Sequence, residues 1–164
     1  MPTRPRLILV VEDERSLREL IANILLLDHH EVDTVHDGAE ALYRIEQRSY
    51  DLIISDLQMP NLDGPGLYTA LRKRFGEALP RVIFVTGHAD AEKFIPFLAE
   101  TGDPVLTKPF SVEDLRTLDR TRRLQPADLA ALPIVAGIAL RRHDHAQRGI
   151  VVPAQVEGLE HAVG

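Results

Sequence analysis

The chain has 164 residues and no cysteine. Disulfides and thiolate chemistry are therefore excluded. No stretch approaches the ~20 consecutive apolar residues that a membrane span needs. The longest apolar run, Ile134 to Leu140, falls far short. The amino-terminal segment MPTRPRLILVVEDE meets acids after five apolar residues, too soon for a secretory signal core. A cytoplasmic location is the expectation. The phosphate loop G-x-x-x-x-G-K-[ST] is absent, which argues against a nucleotide hydrolase of that type. Positive charge is in deficit, with 19 Lys and Arg against 25 Asp and Glu. The formal charge of −6 argues against a broad nucleic-acid-binding surface.

What is present is the composition of a globular protein, 45% apolar and 27% charged. The length fits one domain and an extension. Five short apolar runs recur along it: LILVV (7–11), EVDTV (31–35), LIIS (52–55), RVIFVT (81–86) and PVLT (104–107). Amphipathic stretches separate them. Leu17, Leu20, Ile21, Ile24 and Leu25 follow helical spacing between Ser16 and Asp28. Ala39 to Arg48 and Gly66 to Phe75 repeat the pattern. Ala89 to Glu100 reads as a helix weakened or kinked by Pro96. Ser111 with Asp114 three residues on reads as a capping box that opens a last helix. This alternation predicts a (βα)₅ α/β fold, a doubly wound parallel sheet with helices on both faces. In such sheets ligands gather at the carboxyl ends of the strands.

Those ends carry reactive groups. Strand one runs into Glu12 and Asp13, strand three into Asp56, strand four into Thr86-Gly87 and strand five into Lys108-Pro109. Clustered carboxylates repel unless a cation or a proton relieves them. Oxygen ligands of this kind suit Mg²⁺, and a carboxylate is also a competent nucleophile toward phosphorus. An amine and a hydroxyl can then hold the phosphoryl oxygens. Each residue also has an ordinary explanation. The acidic pair, with Glu14, can cap the next helix. Asp56 and Thr86-Gly87 can be turn residues, and Lys108 an exposed lysine. Their joint placement at the carboxyl ends is more specific than any one of them.

The segments LILVVEDE, DLIISDLQMPNLDG, VIFVTGH and VLTKPF, in this order, resemble a response-regulator receiver domain of two-component signalling. The similarity runs from about Arg6 to Leu124 and includes receivers of the chemotaxis-regulator type. It implies a flavodoxin-like sheet in the strand order 2-1-3-4-5. Residues 6–124 would form the receiver and residues 125–164 a C-terminal extension without a recognisable output domain. It implies that Asp56 is the phosphoacceptor. Glu12 and Asp13 would position Mg²⁺, Asp13 directly and Glu12 through water. The backbone carbonyl of Gln58 would be a further metal ligand. Thr86 would be the switch hydroxyl and Lys108 its phosphoryl-binding partner. Lys108-Pro109 would be a cis bond, and Gly64 would serve a tight turn.

Many receivers carry an aromatic residue three positions before the lysine, where this chain has Val105. A swinging ring is therefore not expected at that place. FLAETGDPVLTKPFSVEDL is similar to receivers attached to hybrid sensor kinases. Gln58 and His88 lie two residues beyond Asp56 and Thr86, where side chains can tune dephosphorylation. In the extension, no helix-turn-helix pattern is visible. His143-Asp144-His145 reads as a solvated cluster, and LAALPIVAGIAL either as a segment that docks on the receiver or a second copy or as a loosely ordered extension.

The resemblance thus implies a receiver that takes a phosphoryl group from a histidine kinase or histidine phosphotransfer protein. It would signal to a downstream protein by contact or phosphorelay. The expected partners include no DNA-binding domain and no membrane, and leave a homodimer open. The chain would be no enzyme, beyond assisting its own phosphorylation and dephosphorylation. Two alternatives stay open: a receiver-like binding module that is not phosphorylated, and an aspartyl-phosphate phosphatase of the haloacid-dehalogenase type. The latter commonly has a second aspartate two residues after the nucleophile, where Gln58 stands.

Overall fold

The computed structural model of the chain describes residues 4–87, 91–120 and 150–151. Five strands, β1 (Leu7–Val11), β2 (Glu31–Val35), β3 (Leu52–Asp56), β4 (Arg81–Gly87) and β5 (Val105–Lys108), pair in parallel in the order 2-1-3-4-5. Helices α1 (Arg15–Leu27), α2 (Gly38–Gln47), α3 (Gly64–Phe75), α4 (Ala91–Thr101) and α5 (Val112–Arg120) connect or follow them. The expected flavodoxin-like fold is therefore present, with strand boundaries within a residue of those read from the apolar runs. A sixth strand, β6 (Ile150–Val151), lies antiparallel on the outer edge of β5. Two residues are too few to leave a period-2 signature, so the sequence did not announce it.

The near-continuous apolar strands reflect a sheet covered on both faces. Alternate residues of each strand feed two cores. Leu9, Val11, Ile53, Phe84 and Val105 pack with α2, α3 and α4 through Ala41, Ile45, Leu67, Leu71, Phe94 and Leu98. Ile8, Val10, Ile54, Val85 and Leu106 pack with α1 and α5 through Ile21, Ile24, Leu25, Leu115 and Leu118. Strands held from both faces make rigid stems for whatever their ends carry.

The capping box at α5 forms as expected. The Asp114 N–H donates to Ser111 Oγ at 3.1 Å and the Ser111 N–H to Asp114 Oδ2 at 2.9 Å. Pro96 lies inside α4, which continues across it to Thr101. Val105 is fully buried beside Phe84, and the rings in that region are Tyr68, Phe84 and Phe97. Tyr68 and Phe97 meet edge to face, with centroids 5.6 Å apart. Apart from β6, residues 121–164 lie outside the described residues, and with them the histidine pair, the segment LAALPIVAGIAL and the homodimer expectation. No described helix is long and apolar enough to cross a membrane.

Candidate functional site

The register brings the site together. Val11 pairs with Ser55, so the residues that follow them, Glu12 and Asp56, emerge side by side. Asp56 pairs with Val85 and Gly87 with Lys108, which places Thr86 and Lys108 along the same rim. Strand order reverses between β1 and β3, the crevice where this topology leaves room for a ligand.

Each group is held in a specific way. Asp56 is buried, and its two oxygens have different partners. Oδ1 accepts the Gln58 N–H at 3.0 Å, and Oδ2 accepts from Lys108 Nζ at 2.8 Å. Glu12 is 1% exposed, which is extreme for a carboxylate and needs compensation. Its Oε1 accepts the Glu14 N–H at 3.1 Å, so it does cap the start of α1 in part. Its Oε2 lies 3.2 Å from Lys108 Nζ but without hydrogen-bond geometry. Asp13 is exposed at the mouth. Thr86 is buried, with its hydroxyl donating to the Gly87 carbonyl at 3.3 Å. The Lys108-Pro109 bond is cis.

Electrostatics show how little compensation there is. Burial, and then the Asp56 charge, push the Glu12 carboxyl up to about 8 against the opposing pull of Lys108. Burial works against the charge on Lys108, but Asp56 and Glu12 outweigh it and hold its pKa above the ordinary value. One ammonium thus serves two buried carboxylates, with a third beside them. Glu12, Asp13 and Asp56 each offer an oxygen, all within 4.8 Å of one another. An all-oxygen set of this kind, short of positive charge and open on one side, fits a hard divalent cation.

The loop after Asp56 is fastened at several points. Met59 is buried in the core below. The Gly64 N–H donates to the Leu57 carbonyl at 2.9 Å. Gly64 opens α3 rather than forming a turn of its own. A Cβ there would lie 2.6 Å from the Asp56 carbonyl oxygen, so the residue is required for close approach. Asn61, in the left-handed region at φ 65°, donates its amide to Asp37 Oδ2 at 2.8 Å. The sequence reading missed Asp37 and Asn61. A helix-starting Asp-Gly and a loop asparagine were visible there, but their pairing needs the tertiary fold. His88 lies outside the described residues.

A family model for the response regulator receiver domain matches residues 8–119. The response regulator MprA of Mycobacterium tuberculosis (strain H37Rv) is 35% identical over 75% of this chain and 54% of its own length. The phosphate regulon transcriptional regulatory protein PhoB of Rhizobium meliloti is 36% identical over 84% of this chain and 62% of its own. Among solved structures, the chemotaxis response regulator CheY4 of Vibrio cholerae aligns with a TM-score of 0.64 at 31% identity, over 71% of this chain and 98% of that one. NtrX from Brucella abortus gives 0.64 at 28% identity, over 85% of this chain and 28% of that one. The chain spans little more than half the length of these curated relatives. The expectation of partners without a DNA-binding domain is thereby overturned. A relative is a transcriptional regulator by name, and what it shares with this chain is only part of its length. These relatives are response regulators, and the similarity to hybrid-kinase receivers draws no support from them.

Proposed function

The chain belongs to the response regulator receiver domain family, and from that premise we propose that Asp56 is its phosphoacceptor. We further infer residues 6–124 as the receiver unit, a cytoplasmic setting, and a histidine kinase or histidine phosphotransfer protein as the donor. The observation that carries the reading is the Glu12, Asp13, Asp56 and Lys108 cluster at the strand ends, where three carboxylates face one amine.

The residues divide the task by position. Asp56 sits on a strand buried from both faces, and its carboxylate is aimed by Gln58 and Lys108. A carboxylate oxygen of Asp56 attacks the phosphorus of a phosphohistidine. The P–N bond breaks as the O–P bond forms, and the imidazole departs with its electron pair and takes a proton from solvent. Little covalent chemistry is asked of the protein beyond positioning and charge compensation. Lys108 moves from pairing the free carboxylate to pairing a phosphoryl oxygen. Thr86, one residue beyond the position in register with Asp56, exchanges its Gly87 acceptor for a second phosphoryl oxygen. Glu12, Asp13, Asp56 and the Gln58 carbonyl are the groups that would hold Mg²⁺. When bound, the ion supplies the positive charge that lets an anionic donor approach an acidic site. The chain is thus a phosphoacceptor that assists its own phosphorylation and dephosphorylation. The signal passes to an output that, in a relative, is transcriptional control.

The phosphatase alternative lacks the second aspartate, because Gln58 stands in its place. Incubation of the full chain with Mg²⁺ and acetyl phosphate tests all three readings. The expected result is a single phosphoryl adduct that Asp56→Asn abolishes. No adduct would favour a binding module, and rapid turnover of unrelated phosphate esters a phosphatase.

A further inference from the structure

The loop that carries Gln58 is held against the first turn of α2. Asp37 is the N-cap of α2, and its Oδ1 accepts the Glu40 N–H at 2.8 Å. Its other oxygen, Oδ2, accepts the Asn61 side-chain amide at 2.8 Å, across 24 residues of sequence. Asp37 is 5% exposed and both bonds are partly buried, and the exposed His36 ring also approaches Oδ2, with Nε2 at 3.5 Å. The next residue closes the contact. A Cβ on Gly38 would stand 2.5 Å from the Leu62 carbonyl oxygen, so the first turn of α2 lies directly against the loop. Asn61 takes the left-handed backbone conformation in which asparagine is favoured among non-glycine residues.

Between these anchors and Asp56 the chain has little freedom. Met59 is fixed in the core, Asn61 on Asp37, and Asp63 on the Gly66 N–H at 2.8 Å as the cap of α3. The Gln58 carbonyl lies between Asp56 and the first of these anchors. Hydrogen-bonded partners of metal ligands typically change metal affinity about 10–100-fold when removed, and a pair acting one step further out, through the loop, belongs at the lower end of that range.

We propose that Asp37 and Asn61 form a positioning pair that sets the Gln58 carbonyl for a divalent cation at the Glu12–Asp13–Asp56 cluster. The inference rests on the reading of that cluster as a Mg²⁺ site. Neither residue touches the cluster, and both act through the β3–α3 loop.

Titration calorimetry of the full, unphosphorylated chain with Mg²⁺ alone tests it, with thermal unfolding measured alongside. Asn61→Gly keeps the backbone conformation accessible and changes no charge, but removes the amide. Asn61→Asp sets a second carboxylate against Asp37, a like-charge pair that rotation of either side chain does not turn into a hydrogen bond. Each is expected to weaken Mg²⁺ binding about tenfold. The double variant Asp37→Asn with Asn61→Asp restores both the bond, with reversed polarity, and the net charge. Its affinity should return to within threefold of the wild type. Mg²⁺ affinity within twofold of wild type for Asn61→Gly, or a double variant no better than Asn61→Asp, would overturn the pairing. So would a lowered unfolding temperature with unchanged affinity. A wild-type chain that binds no Mg²⁺ would instead sink the reading of the cluster itself.

Discussion

The two ends of the sheet handle buried charge in opposite ways. At the amino end, one buried carboxylate, Asp119 of α5, is surrounded by cations and donors. Arg6 pairs with its Oδ1 and donates to its backbone carbonyl at 2.8 Å. His30 Nε2 meets its Oδ2 at 3.1 Å, while His30 Nδ1 accepts the Arg6 N–H at 3.3 Å. Arg81 donates to the Asp119 and Leu118 carbonyls. Burial, and then the neighbouring Arg6 charge, push Arg81 down to about 10. At the carboxyl end, two buried carboxylates and an exposed one share a single lysine, while the Arg18 guanidinium reaches the backbone carbonyls of Glu12 and Asp13. The same fold thus surrounds a buried acid with cations and donors at one end. It leaves negative charge uncompensated where a cation and a phosphoryl group would enter. Full satisfaction marks structure, and shortage marks function.

Removing a carboxylate should therefore have opposite signs at the two ends. Asp119→Asn leaves the half-buried Arg6 and the buried His30 facing an amide. It should cost about 2 kcal/mol in urea unfolding while leaving the Asp56 adduct intact. Equal stability would mean that the cation cluster is ornamental. Glu12→Gln keeps an oxygen for the Glu14 N–H and removes a buried charge that Lys108 only partly offsets. Near pH 8 without metal it should stabilise the chain by about 1 kcal/mol and weaken Mg²⁺ binding. Destabilisation there would erase the contrast between the ends.

Much of this was legible in the sequence, for physical reasons. Strands buried on both faces read as apolar runs, and their ends are where polar residues resume. Glu12, Asp56, Thr86 and Lys108 therefore stood out as a set. The capping box at Ser111 and Asp114 was legible because its two bonds are local. Contacts set by the tertiary fold were not. Asp119 lies on an acidic helix like any solvated residue, and its partner Arg6 is 113 positions away. Asp37 and Asn61 each looked like ordinary cap and loop residues. Gly64 was read as a turn, whereas the constraint comes from the Asp56 carbonyl packed against it.

The carboxyl end is short of positive charge, which a divalent cation would supply. The sign of the pH dependence follows from Glu12. Below about 4.5 its carboxyl is protonated whether the chain is folded or not, and its contribution to stability is fully present. As pH rises toward about 8, the unfolded chain ionises first, and that stability is lost progressively. The direct measurement is the unfolding free energy of the full chain between those limits, with and without saturating Mg²⁺. The account predicts a decline with pH in metal-free buffer that Mg²⁺ largely removes and that Glu12→Gln lacks. Identical curves with and without Mg²⁺, or a decline that survives Glu12→Gln unchanged, would contradict it.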